Sequence, residues 1–150
     1  METELPLTDM IIRLVAAAGL ASIIGLEREL NDRPAGLRTH MLVALGSAAF
    51  LLVGYEILFA TATGDPSARI DPTRIVEGVI GGIGFLGAGS IIQSRGSVHG
   101  ITTGAAIWIA GAIGVSCATG NLVLACLVTA IALVIVLVMG FFEHKALESD

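Results

Sequence analysis

Residues 78–89 read GVIGGIGFLGAG, six glycines with no charge among them, and Glu77 stands directly before them. Gly82, Gly84 and Gly87 match the G-x-G-x-x-G spacing with which dinucleotide-binding loops bring backbone N–H groups against a pyrophosphate. That chemistry also needs a preceding strand, a βαβ setting and an acid about 20 positions on to hold a ribose. Residues 101–114 occupy that place and contain no acid. The glycines are therefore read as a helix whose small residues pack against neighbouring helices in lipid, where no hydrophobic force drives helices together.

Glu77 and Glu56 are the carboxylates set in apolar surroundings. With Gly84 as the helix centre, Glu77 lies about 10 Å along the axis, inside a hydrocarbon half-thickness of about 15 Å. A lipid-facing charge costs roughly 2.5–3.5 kcal/mol at the bilayer centre and less at this depth. Glu77 is thus expected either to snorkel to the interface or to pair with Arg13, Arg69 or Arg74. Glu56, Asp65, Asp71 and Glu77 fall on one side of the membrane in the topology given below. Their oxygens would suit Mg²⁺, although nothing in their spacing requires it. Mg²⁺ at Glu56 and Glu77 is the one candidate ligand, and no other cofactor is expected.

A second group sits around the first polar connection. Glu27, Arg28 and Glu29 alternate in sign at the end of an apolar segment, and Arg38, Thr39 and His40 open the next. They form either a charged interfacial cap or a set of pairs across the loop, with Glu27, Arg28 and Glu29 facing Arg38 and His40. His40 is read as a hydrogen-bonded interfacial imidazole, with a proton relay as the alternative. Thr102 and Thr103 begin a later apolar segment, where threonines cap a helix or bond across helices; Trp108 is expected to pack against the glycines. No nucleophile stands beside a base and no metal-hydrolase motif is present, so an enzyme is not expected.

These residues need a scaffold, and composition names it. The chain has 150 residues, 55% hydrophobic and only 14% charged, with a mean hydropathy of +0.89. A soluble domain of this size needs more polar surface. The formal charge of −5 excludes a nucleic-acid partner. Cys117 and Cys126 match no zinc or redox spacing. The acidic N-terminus lacks the basic start of a signal peptide, so the first apolar segment is expected to be kept.

The expected fold is an all-α integral membrane protein, a single domain of five transmembrane helices over about 10–26, 39–60, 74–93, 101–118 and 121–142. The third, glycine-rich helix is expected at the centre. Gly78, Gly82, Phe85 and Gly89 form one of its faces, Glu77, Gly81, Gly84 and Ala88 a second. Val79, Ile83 and Leu86 form a narrow strip toward lipid. Ala106, Ala110 and Gly114 continue a small-residue face suited to that helix. Only Thr119 and Gly120 separate the last two spans, which predicts a tight hairpin. Arg28, Arg33, Arg38, Arg95 and Lys145 collect on one side against Arg13, Arg69 and Arg74 on the other. The basic excess predicts the N-terminus outside and the C-terminus cytoplasmic. No inverted repeat of the kind that marks many transporters is visible.

GLEREL at 25–30, RPAGLRTHMLVALGSAAF at 33–50, DPTRIVEGVIGGIGFLGAGSII at 71–92 and VHGITTGAAIWIAGAIGV at 98–115 resemble the MgtC/SapB family of bacterial membrane proteins. The resemblance implies a multi-pass inner-membrane protein of about five helices, associated with growth at low magnesium, survival in host phagocytes and control of membrane energetics. It further implies action through partners, the proton-driven ATP synthase among them, rather than magnesium transport itself. Virulence-type members carry a soluble C-terminal domain, and this chain reads as a short form without it. Contact with a second copy, as a dimer, or with another membrane protein is the leading expectation; a Mg²⁺ or other cation transporter or channel is the alternative.

Overall fold

The computed structural model describes residues 5–62, 71, 73–94 and 97–147. Five helices follow one another: α1 (Leu7–Leu30), α2 (Leu37–Ala62), α3 (Thr73–Gly89), α4 (Ile101–Ala118) and α5 (Leu122–Leu147). A small antiparallel hairpin, β1 (Ile92–Ser94) and β2 (Ser97–His99), joins α3 to α4 and pairs Ile92 with His99.

Among the described residues, four helices are long and apolar enough to cross a membrane, within α1, α2, α4 and α5. The fold is that of an α-helical membrane protein. The third expected span, 74–93, is shortened. The helix stops at Gly89, and the Ser90 hydroxyl turns back onto Gly87 O at 2.7 Å. The following residues go into the hairpin. At 17 residues, α3 is about 26 Å long, slightly less than about 30 Å of hydrocarbon.

Local chemistry sets the other ends. Asp71 accepts the Thr73 N–H at 2.9 Å and its hydroxyl at 2.7 Å, capping α3. Those two bonds hold the exposed Asp71 carboxyl below the usual carboxylate range. Gly120, at φ +80°, turns the chain between α4 and α5, and Asn121 Oδ1 accepts the Leu124 N–H at 3.1 Å. The expected tight hairpin of the last two spans is present.

The central element is α4 rather than α3. It touches every other helix, and 61% of its span is buried against 11% for α5. The core is built from alanines four residues apart, Ala17 and Ala21 on α1, Ala44 and Ala48 on α2, with Ala110 and Ile113 on α4. Such spacing puts one small face along each helix and lets backbones close. Gly114 is the limit of this approach, since a Cβ there would collide with Ala44 O and Ser47. The face Ala106, Ala110, Gly114 is therefore buried as a small-residue seam, but at Gly114 it meets α2 and not the glycine helix. Buried hydroxyls return to their own helices: Ser47 to Val43 O, Ser116 to Ala112 O and Thr129 to Ala125 O.

The glycine helix lies at the edge of this core, and the residues that seat it are the reverse of those expected. Ile83, assigned to the lipid strip, is buried against Gly111, and Gly87 meets Gly104, where a Cβ would come within 2.9 Å of Gly87 O. Gly78, Gly81, Gly82, Gly84 and Gly89 have nothing within 4 Å of a Cβ position, and Ala88 is exposed. A wheel of small residues does not say which face is occupied, and here the bulky residue fits the notch that Gly111 leaves.

Candidate functional site

The polar residues of α1, the following loop and α4 converge at one end of the core. Arg28, on the last turn of α1, is 4% exposed. Its Nη2 donates to Thr103 Oγ1 at 2.8 Å and, at the outer limit of a hydrogen bond, to Pro34 O at 3.5 Å. A buried guanidinium is tolerated only where fixed acceptors take its protons. Here one acceptor comes from a helix 75 positions away. Arg28 Nε is buried without a partner.

Glu29 turns the other way. Its Oε2 accepts the Leu37 N–H at 2.8 Å and so caps α2, where the helix dipole favours a negative group. Glu27 accepts from Asn31 Nδ2 at Oε1, 3.0 Å, while its Oε2 is buried without a partner. The intervening loop holds Asp32 and Ala35 at φ +52° and +57°, a region that non-glycine residues enter at a cost.

His40 is fully buried, and its Nδ1 lies 3.0 Å from Gly36 O. A carbonyl only accepts, so Nδ1 carries a proton. Nε2 has no partner among the described residues. The ring lies under Gly25, where a Cβ would reach 2.8 Å from Leu37 Cα and 3.1 Å from His40 Cβ. Gly25 thus lets the start of α2 cross the end of α1.

Beside this cluster, α1, the loop, β2, the first turn of α4 and α5 border an open cavity of about 1010 Å³. Glu27, Arg28, Arg33, Thr102 and Thr103 form its polar wall, and Ile135, Leu137 and Met139 its apolar one. Three of the four sequence stretches singled out above therefore meet in one place. The profile of the MgtC family matches residues 14–145.

The chain belongs to the MgtC family. It is 41% identical over 112 residues to the "Putative magnesium transporter YhiD" of Escherichia coli K12, covering 75% of this chain and 52% of that protein. It is 40% identical over 121 residues to "Protein MgtC" of Salmonella typhimurium LT2, covering 81% of this chain and 48% of the relative. "Protein MgtC" of Brucella abortus is 40% identical over 115 residues, 77% of this chain and 44% of its own length. The chain spans about half the length of these curated relatives. No solved structure matches.

Within this MgtC-family scaffold the expected site residues separate into groups. Glu27, Arg28, His40, Thr102 and Thr103 gather at the site just described. Arg38 is exposed and Thr39 half-buried; neither is bonded to Glu27, Arg28 or Glu29, whose partners are Asn31, Thr103 and Leu37. Trp108 is 47% exposed and edges a cleft of about 180 Å³ with Ile80, Ile83 and Gly111, instead of sitting inside a glycine seam. Glu77 is exposed and Glu56 half-buried. Of the partners expected for Glu77, Arg13 instead donates to Ala118 O at 2.6 Å, Arg74 is exposed, and Arg69, like Asp65, lies outside the described residues. No group of three His, Cys, Asp or Glu side chains able to hold a metal occurs among the described residues.

Gly25, Gly87, Gly104 and Gly111 escaped the sequence reading as contact residues. The signal was available in part: Gly104, Gly111 and Gly114 share α4, and glycines at three- to seven-residue intervals mark close backbone approach.

Proposed function

We propose that this chain is a membrane component of magnesium homeostasis that acts without catalysis, by helix–helix contact through the open glycine face of α3. The observation that carries this reading is the contrast on one helix. Ile83 and Gly87 are engaged by α4, while Gly78, Gly81, Gly82, Gly84 and Gly89 have open space beside them. Gly78 and Gly82 also border an apolar groove of about 740 Å³ shared with Gly46 and Phe50 of α2. Small residues at such a face let a second helix approach closely. The name of the E. coli relative, a putative magnesium transporter, connects the family to magnesium. The reading includes a multi-pass place in a bacterial inner membrane, α3 as a short fifth span in one five-helix domain, an external N-terminus and a cytoplasmic C-terminus. A second copy is the first expected partner; another membrane protein such as the ATP synthase, in a regulatory role linked to energetics or virulence, is the next.

Gly82→Leu tests it. The added side chain has room in a single chain, so insertion and unfolding should be unchanged, while crosslinked dimer or partner capture in native membranes should disappear. Wild-type crosslinking by Gly82→Leu, with Gly87→Leu as a control that perturbs α3 itself, would rule the face out. The second reading, a cation transporter, draws on Glu56 and Glu77 and on the name of the E. coli relative. Sealed vesicles containing the purified chain and a magnesium dye separate the two, since flux above empty vesicles is expected only of a transporter.

A further inference from the structure

We infer that His40 is a proton switch acting on the side-chain bond between Arg28 and Thr103: a proton taken up at Nε2 sends Arg28 out of its buried position into the open cavity. The ring is fully buried, and its Nδ1–H is spent on Gly36 O at 3.0 Å. Nε2 is left as a bare acceptor, without a donor among the described residues. An imidazole in this tautomer takes its next proton at that nitrogen. The charged groups that act on the ring, Arg28 and Glu27, both belong to α1. Helix α4 carries no acid or base at this end, and Arg38, on the same helix as His40, is exposed.

With a neutral ring, Arg28 and Glu27 balance one another. A proton on Nε2 puts a second cation beside Arg28 in a place shut off from water, where like charges repel more strongly than in solvent. One cation has to leave, and the two are not equally free. His40 has a short side chain, tied to Gly36 O and covered by Gly25, where a Cβ would come 3.1 Å from His40 Cβ. Arg28 has a long side chain that borders the open cavity. Among the described residues its bonds run from Nη2 alone, at 2.8 Å to Thr103 Oγ1 and 3.5 Å to Pro34 O, with Nε unbonded. Its departure breaks one short hydrogen bond and brings both the charge and the orphan nitrogen to water. Glu27 stays behind as the counter-ion, and its buried Oε2 is an acceptor still without a donor. A proton bound at His40 thereby reappears as a cation in the cavity.

The experiment is nitrogen NMR of the isotope-labelled full chain in detergent between about pH 8 and about pH 4.5, a range around the ordinary imidazole pKa of about 6.5. With His99→Gln and His144→Gln, His40 is left as the single ring signal of the three histidines. That ring should titrate. In step with it the Arg28 Nε–H, compared with free arginine at each pH, should exchange with water about tenfold faster or more, the factor that matches loss of one hydrogen bond to a charged group. Thr103→Val should give the fast exchange at both ends of the range. His40→Asn keeps an N–H for Gly36 O and takes up no proton, so Arg28 should stay slow throughout in that variant. A ring that stays neutral to the end of the range, or one that titrates while Arg28 exchange is unchanged, would overturn the switch. So would equal acceleration in His40→Asn, or slow exchange in Thr103→Val at neutral pH.

Discussion

Gly114 and Gly82 both sit in apolar helices, yet they do opposite things. A Cβ at Gly114 would collide with the α2 backbone, and one at Gly82 would meet nothing within 4 Å. The first glycine is used up inside the chain, closing α4 onto α2. The second is free for something that is not part of this chain. The same contrast separates the two halves of the molecule. In α1, α2 and α4, alanines, glycines and an arginine fixed to a threonine are locked by internal contacts. In α3, Ile75, Val76, Ile83 and Gly87 engage the core and most of the glycines do not. The comparison teaches that small residues in a membrane helix are ambiguous until their neighbours are known: they mark closeness already achieved or closeness on offer.

The largest effect should come from placing volume on the closed side. Gly114→Leu is expected to cost roughly 3 kcal/mol or more, because backbone and not a movable side chain stands in the way. Reversible unfolding in detergent or by steric trapping would measure it. A normal midpoint would mean that α2 and α4 do not approach as described. Next comes the polar lock. Thr103→Val keeps the shape and removes the acceptor of Arg28, at an expected 1–3 kcal/mol, roughly the penalty of a buried charged donor left unmatched. Thr103→Ser should recover most of it, and recovery by Val would show that the bond carries no weight. Gly82→Leu, neutral for the fold and severe for association, is the counterpart on the open side.

The smallest effect belongs to the start of α3. Asp71 has its carboxyl group held below the usual range by Thr73, so its cap is complete at neutral pH. The cap is lost only as acidification passes the ordinary aspartate pKa of about 3.9 toward the lower folded value. Hydrogen exchange should show faster exchange in the first turn of α3, and not in α4, for Asp71→Ala at pH 7 and for the parent chain at strongly acidic pH.

Much of the scaffold was legible in the sequence because it depends on local properties. Apolar length located α1, α2, α4 and α5, and the two-residue connection Thr119–Gly120 marked the hairpin between the last two. Proximity was not legible. Ile83 reads as a lipid residue on any wheel, and only the notch at Gly111 makes it a core residue. Glu27, Arg28 and Glu29 announce a polar feature, but their division of labour is decided by groups they meet in space: Asn31, Thr103 and the α2 N-terminus. The alternating signs suggested pairing with Arg38 and His40, whereas an uncapped helix end and a distant hydroxyl satisfied them instead. The end of α3 at Gly89 was missed for a related reason. Residues 90–92 remain apolar enough to continue a span, and the chain turns there because Ser90 bonds back to Gly87 and Gly100 admits Ser90 O against its backbone.

The hydrogen bond from Arg13 to Ala118 O joins residues 105 positions apart. During synthesis at about 5–20 residues per second, the first helix would emerge with a cation whose acceptor does not yet exist, and it would wait on the order of 5–20 s for it. Arg28 would wait for Thr103 in the same way. The first helix of this chain is thus not finished until the fourth is made: whatever machinery inserts it has to shelter two arginines until then.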